Sequence, residues 1–299
     1  MIRTRELTKQ FGALTAVDRV SVSVEAGEIF GLVGPDGAGK TTLMRMLLGI
    51  MDPTGGSVEV MGNSSIESVK AQIGYIPQKF SLYRDLTVME NIRMIGSMYG
   101  TEPAKIDSRA REILAFTNLL PFADRLADNL SGGMKQKLAL AAGLMHKPRL
   151  FFLDEPTTGV DPVSRREFWQ MLYRLNKEGM TVFVSTPYMD EAELCTRVAF
   201  MHEGRIVSCA SPAQLRAAYP YKILELAVGG REVKKVLQDC NLVDINAFGE
   251  KYHLATREPE QARAMAAAAL TRAGFAGFTL TDVEPTLEDV FVALAGEAR

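Results

Sequence analysis

The 299-residue chain has 34 lysines and arginines against 36 aspartates and glutamates, a net charge of −2, and 47% hydrophobic residues. This is the make-up of a globular protein able to bury a sizeable core and to form two domains, with no overall positive field to draw it to nucleic acid. Cys195, Cys209 and Cys240 are widely spaced without a CxxC pair, which argues against a zinc site or a disulfide framework and fits a reducing cytoplasm.

No apolar run approaches the roughly 18 residues of a membrane-spanning helix, and Met1–Glu6 lacks the apolar core of a signal peptide. Any work at a membrane is therefore expected from its surface.

Ile2 to Glu28 alternates short β-like runs with turns, and Val20, Val22 and Val24 show period-two apolar spacing, which predicts a small antiparallel sheet. The apolar run Ile29–Val33 then meets Gly34-Pro35-Asp36-Gly37-Ala38-Gly39-Lys40-Thr41-Thr42, and Leu43–Leu48 continues as a helix. Gly, any four residues, Gly-Lys-Thr between a strand and a helix is a phosphate cradle. Backbone amides and the positive helix end face the anion, Lys40 reaches the β- and γ-phosphates, and the Thr41 hydroxyl binds Mg²⁺.

Short strands follow at Val58–Met61 and Ile73–Ile76, the second ending at Pro77-Gln78. The period then changes to helical over Leu86–Tyr99, Ala104–Phe116 and Ser131–Met145, so an all-helical insert is predicted within the α/β core. The core resumes at Arg149–Glu155, an apolar run closed by Asp154 and Glu155, as in a buried parallel strand. A helix over Pro162–Lys177, a strand over Met180–Ser185 and a hairpin around Glu203-Gly204 complete it, and a short helix begins at Ser211-Pro212.

Pro220 is the predicted domain boundary, giving domains 1–220 and 221–299. The second reads as strand Ile223–Val228, helix Glu232–Cys240, hairpin Val243–Ala255, helix Glu260–Ala273, strand Phe278–Val283 and helix Leu287–Leu294. That order is a ferredoxin-like α+β unit, which carries no chemistry by itself. Ala266–Ala269 reads as a close-packed helix face.

Beside a phosphate loop, Asp154 can hold Mg²⁺ and Glu155 can polarise an attacking water. Leu130-Ser131-Gly132-Gly133 opens a helix with Ser131 as cap. Two glycines at a helix start are poor helix formers and suggest amides left free for an anion.

The phosphate loop, Gln78, Leu130–Gly133, Leu153-Asp154-Glu155-Pro156 and Gly159-Val160-Asp161-Pro162 stand in the order and at the intervals of the ATP-binding cassette (ABC) ATPases. The resemblance covers roughly Ile2 to Tyr219. The tail, with Glu284–Phe291, resembles the C-terminal extension of bacterial multidrug-exporter-type ATPases serving ABC-2 type permeases.

This resemblance implies an ATP-hydrolysing subunit, binding ATP and Mg²⁺, that energises a separate permease from the cytoplasmic face of the inner membrane. It implies that Phe11 stacks on adenine, with a buried core Phe as the alternative, and that residues 34–42 hold the phosphates. It further implies that Gln78 touches Mg²⁺ and the lytic water, and that Asp154 and Glu155 take the roles given above. Ser131, Gly132 and Gly133 would face ATP held by a second cassette, and Asp161 would tie the two sites together. The second cassette can be another copy, a different chain or the other half of a tandem protein. A soluble ABC ATPase of translation or DNA maintenance is the alternative class, but the paired cassettes with a charged linker, or the coiled-coil insert, usual there do not appear. The tail is expected to regulate or stabilise the cassette pair, and Phe80, Tyr83, Met89 and Met98 near Gln78 suit a groove for a permease helix.

Two positions depart from the family pattern. Asp36 stands where an Asn is usual, either weakening ATP binding or pointing to solvent. Pro187 in Ser185-Thr186-Pro187-Tyr188 takes the place of the switch histidine, and a proline can neither donate to a phosphate nor orient a water. Either Thr186 or Tyr188 substitutes for it in a plain homodimer, or this cassette holds ATP at a slow site of an asymmetric pair.

Overall fold

The computed structural model describes residues 1–229 and 233–297 and divides into two compact units, Met1–Pro212 and Ala213–Arg299.

In the first unit, β1 (Ile2–Phe11), β2 (Leu14–Val20) and β3 (Ser23–Val24) make the expected antiparallel sheet. After β4 (Ile29–Val33) and α1 (Lys40–Leu47), β5 (Gly55–Val60) returns to pair with β1. β5 begins earlier than the expected Val58. Gly56 carries it past β1 at φ 80, where a Cβ would lie 2.3 Å from the Glu6 carbonyl oxygen.

β6 (Ile73–Ile76) leads into the helical insert of α2 (Val88–Met98), α3 (Pro103–Phe116) and α4 (Gly132–Gly143). A capping box sets the start of α2: Thr87 Oγ1 accepts from Glu90 N–H at 3.2 Å, and Glu90 Oε2 accepts from Thr87 N–H at 2.8 Å.

The core continues with β7 (Leu150–Asp154), α5 (Pro162–Lys177), β8 (Thr181–Thr186), the one-turn α6 (Met189–Ala192), β9 (Arg197–His202) and β10 (Arg205–Ala210). Six strands run in the order β10-β9-β4-β8-β7-β6, parallel except for β10. Every residue of β4, β7 and β8 is buried, which is why each reads as an unbroken apolar run rather than an alternation. Neighbouring β4, β8, β7 and β6 all end on one edge, in the register Val33–Thr186 and Asp154–Ser185. The sheet therefore delivers the loops after Val33, Ile76, Asp154 and Thr186 to the same place.

The division between units falls at the start of α7 (Pro212–Ala217) rather than at the expected Pro220, because this helix belongs from Ala213 onward to the second unit. The second unit also contains β11 (Lys222–Ala227), α8 (Val233–Val236), β12 (Asp244–Phe248), β13 (Lys251–Thr256), α9 (Pro259–Arg272), β14 (Thr279–Val283) and α10 (Leu287–Glu297). Its antiparallel sheet has the order β12-β13-β11-β14, the ferredoxin-like arrangement. The helix expected over Glu232–Cys240 is a single turn; Leu237–Cys240 forms a turn and Asn241 takes a left-handed φ of 53. Its expected start at Glu232 lies outside the described residues. Ala262, Ala266 and Leu270 of α9 pack with Leu224, Leu226 and Leu254 in one core, whereas of the run Ala266–Ala269, expected as a close-packed face, only Ala266 is buried and Ala268 is exposed, since consecutive residues point to different sides of a helix.

Candidate nucleotide site

The loop between β4 and α1 is shaped by two glycines that no other residue can replace. A Cβ on Gly34 would lie 2.1 Å from the Met201 carbonyl oxygen, and one on Gly39 would lie 2.3 Å from that of Ala16, where φ is also 103. Gly39 caps α1 without a side-chain hydrogen bond, and the first turn of α1 contains no acidic residue. The helix thus presents its positive end without an internal counter-charge, as an anion site requires. Ala38 is buried, whereas Pro35, Asp36 and Gly37 are exposed at the tip, which places Asp36 toward solvent.

Lys40 is 4% exposed and Glu155 is 7% exposed, and the Lys40 ammonium lies 3.2 Å from Glu155 Oε1. The same ammonium donates to the carbonyls of Gly34 at 2.8 Å and Pro35 at 3.0 Å. Gln78 Nε2 donates to Glu155 Oε2 at 2.9 Å. Glu155 adopts φ 48, a left-handed conformation that costs a non-glycine residue about 1–3 kcal/mol and is typical of functional positions. Its N–H is held by Ser185, which accepts it on Oγ at 3.0 Å and on the backbone oxygen at 3.1 Å.

Asp154 accepts from Ser185 Oγ at 2.7 Å and from Thr41 Oγ1 at 3.2 Å through the same oxygen, Oδ1. A carboxylate and a hydroxyl this close beside a phosphate loop form a hard-oxygen donor pair suited to Mg²⁺. Tyr75 stands nearby, and burial, then the charge of Asp154, push its phenol above the ordinary tyrosine value. The role of Ser185 as a clamp on both carboxylate residues escapes the sequence reading, although its signal is present: it is the polar residue that closes the apolar run of β8, opposite Asp154 in the register with β7.

Phe11 is 47% exposed, with the Lys9 ammonium 5.3 Å from its ring centre, so the buried-core alternative for Phe11 is set aside. Thr42 lies in the first turn of α1.

Ser131 caps α4, accepting from Met134 N–H at 3.3 Å. The two following glycines separate in meaning. A Cβ on Gly132 would meet only the Gly159 carbonyl oxygen at 3.8 Å, whereas one on Gly133 would lie 2.5 Å from the Ser164 side chain of α5. Close packing of α4 on α5 thus gives Gly133 a steric reason to be glycine, beyond the free amides expected from the sequence. Asp161 caps α5, accepting from Val163 N–H at 3.1 Å and Ser164 N–H at 2.9 Å, and hydrogen bonding to Ser164 holds its carboxyl below the ordinary range.

In the switch segment, Thr186 Oγ1 donates to Glu191 at 2.5 Å and accepts from Tyr188 N–H at 3.1 Å. The Tyr188 ring is covered by the Arg165 guanidinium at 4.6 Å. Of the two groups weighed as substitutes for the missing histidine, the Thr186 hydroxyl is thus engaged elsewhere, while Arg165 holds the face of the Tyr188 ring.

The stretch expected to form a partner groove is divided: Met89 is buried within the insert, while Tyr83 and Met98 are exposed. Among the described residues no helix is long and apolar enough to cross a membrane, and no group of three or more His, Cys, Asp or Glu gathers to hold a metal ion.

The sequence matches the ABC transporter family over residues 17–158. It is 40% identical over its whole length to the probable multidrug ABC transporter ATP-binding protein YbhF of Escherichia coli K12, and spans about half (52%) of that relative. It is 36% identical to the Nod factor export ATP-binding protein I of Rhizobium sp. N33, covering 96% of this chain and 94% of that one. The solved post-hydrolysis dimer of the cassette MJ0796, bound to ADP and Pi, superposes with a TM-score of 0.65 at 26% identity, over 71% of this chain and 98% of that one. The chain belongs to the ABC transporter family and is one of its ATP-binding cassettes.

Proposed function

We propose that this chain is the ATP-hydrolysing subunit of an export transporter, one of two cassettes that close over ATP at the cytoplasmic face of a membrane and drive a separate ABC-2 type permease. The observation that carries the reading is the convergence of Lys40, Thr41, Gln78, Asp154 and Glu155 at one sheet edge beside a helix start whose Gly39 cap supplies no side-chain hydrogen bond. The name of one relative, the Nod factor export ATP-binding protein I, supports the direction of transport.

In this reading Phe11 stacks on adenine, and the loop amides with Lys40 hold the phosphates. Thr41 and Asp154, with Gln78, would hold Mg²⁺, which would supply charge neutralisation on the transferred phosphoryl group. Glu155 accepts the proton of the attacking water, and Gln78 fixes the carboxylate by its hydrogen bond. Ser131, Gly132 and Gly133 serve ATP on the opposing cassette, and Asp161 faces the same interface. The second unit regulates or steadies the pair, and exposed Tyr83 and Met98 offer contacts to the permease.

A proline at position 187, with the Thr186 hydroxyl committed to Glu191 and the Tyr188 ring held under Arg165, leaves no side chain at the histidine's own position to donate, which favours a slow site in an asymmetric pair over a plain homodimer. Loss of one preorganised donor costs about 10²–10³ in rate. Radiolabelled phosphate release should therefore be slow for the purified chain and should rise at least about tenfold in Pro187→His. Brisk release unchanged by that substitution contradicts the slow-site reading, and absence of ATP binding contradicts the whole.

A further inference from the structure

Three segments of the site meet on one carboxylate that belongs to none of the phosphate-binding motifs. Glu191, in α6, is 1% exposed. Its Oε1 accepts from Thr157 Oγ1 and lies 3.5 Å from Arg165 Nε, and its Oε2 accepts from Thr186 Oγ1 at 2.5 Å. Each partner stands next to working machinery. Thr157 is in the loop that begins at Glu155. Thr186 pairs with Val33 in the sheet and accepts the Gly34 N–H on its carbonyl at 3.4 Å. Arg165 donates its own backbone N–H to the Asp161 carbonyl at 2.9 Å, one helical turn from that cap.

Arg165 also reaches Asp190 at 3.3 Å and covers Tyr188, so α5 grips the switch on both sides of Met189. A carboxylate removed from water is tolerated only while its partners stay in place, and breaking one contact strands the charge. A shift of the Glu155 loop, the switch or the Asp161 end of α5 therefore disturbs the partners of the same carboxylate, and the phosphate loop joins them through the Gly34–Thr186 hydrogen bond.

We propose that Glu191, clamped by Arg165, is a positioning residue for ATP hydrolysis: it orders the proline-containing switch against the Glu155 loop and links both to the Asp161 face of α5. The inference rests on the reading of this site as an ATPase. It supplies the ordering that a switch histidine would share, while leaving the missing donor unreplaced.

The test uses the full chain in four forms, wild type, Arg165→Ala, Arg165→Lys and Glu191→Gln, together with the Arg165→Ala/Glu191→Gln double variant. Fluorescent ATP titration gives affinity, and radiolabelled phosphate release gives kcat and KM. Arg165→Ala and Glu191→Gln should each lower kcat about tenfold while KM and affinity stay within about twofold, since misplacement of the reacting groups rather than loss of binding is expected. The double variant should be no slower than Glu191→Gln alone, because both substitutions open the same clamp. Arg165→Lys should recover part of the rate. Arg165 is partly exposed, so Arg165→Ala carries the test if Glu191→Gln does not fold. An unchanged kcat in Arg165→Ala overturns the proposal, as does a parallel fall in kcat, affinity and melting temperature. A wild-type chain that binds no ATP overturns the ATPase reading itself, and does so before any substitution is compared.

Discussion

Lys40 and Glu155 face each other across 3.2 Å in a buried site, so the cation that should hold the phosphates and the carboxylate that should take a proton neutralise one another. Triphosphate must draw Lys40 away from Glu155 and from the carbonyls of Gly34 and Pro35. Removing the charge of Glu155 removes the strongest of these competitors. In the presence of a chelator, which isolates the lysine–phosphate contact, Glu155→Gln should bind ATP about tenfold more tightly, a gain of about 1.4 kcal/mol. Hydrolysis with Mg²⁺ should fall by about 10²–10⁴, the usual contribution of a general base. Affinity unchanged in the glutamine variant would show that the pair does not compete with nucleotide.

The two glycines at the start of α4 separate packing from anion binding. Gly133→Ala must push Ser164 aside, and overpacking of this kind costs about 1–3 kcal/mol, whereas Gly132→Ala has room. Thermal unfolding should show a clear loss for Gly133→Ala and little change for Gly132→Ala. Equal melting temperatures with lost ATPase in Gly133→Ala would return that glycine to a purely phosphate-binding role.

His146 makes the first unit sensitive to acid. Its ring stacks on Tyr99 at 4.0 Å, and Nε2 donates to the Ile73 carbonyl at 2.9 Å, so the neutral ring is unprotonated at Nδ1. Nδ1 is buried without a hydrogen-bond partner among the described residues, and burial holds the imidazole below its ordinary value. The unfolded chain therefore binds this proton more readily than the folded one. Stability from this group is complete above the ordinary histidine value and is lost as pH falls through it toward the depressed folded value. Chemical denaturation midpoints should drop between about pH 7 and pH 5, and His146→Gln should flatten that part of the profile. An equal slope in both proteins would assign the acid sensitivity elsewhere.

Much of this site can be read from the sequence because its residues end buried strands. Ile29–Val33, Arg149–Asp154 and Met180–Ser185 announce themselves as apolar runs, and the residue types that stop each run are those that meet at the sheet edge. The phosphate loop is legible for the same reason: spacing fixes a local backbone, and local backbone needs no knowledge of the fold. What escapes the sequence is non-local. The pressure on Gly133 comes from a residue on α5, the clamp on Glu191 gathers partners from three separate segments, and Lys40 finds Glu155 only after β4 and β7 flank β8. The tail shows a further limit. Apolar spacing predicts a helix over Glu232–Cys240, yet among the described residues α8 is one turn, and the chain leaves it through a turn that reaches Asn241 at a left-handed φ.

The most direct test of the nucleotide-site assignment is the affinity of the purified chain for Mg-ATP, measured by titration with a fluorescent ATP analogue in wild type and Lys40→Ala. Lys40 should make at least two charge-assisted hydrogen bonds to the phosphates, each worth roughly 1.5–3 kcal/mol. The substitution should therefore weaken binding about 100-fold or more, and it should also lower the melting temperature in the absence of nucleotide, because Glu155 is left buried without its cation. Near-normal affinity in Lys40→Ala would contradict the assignment of the loop from Gly34 to Thr42 as the nucleotide site.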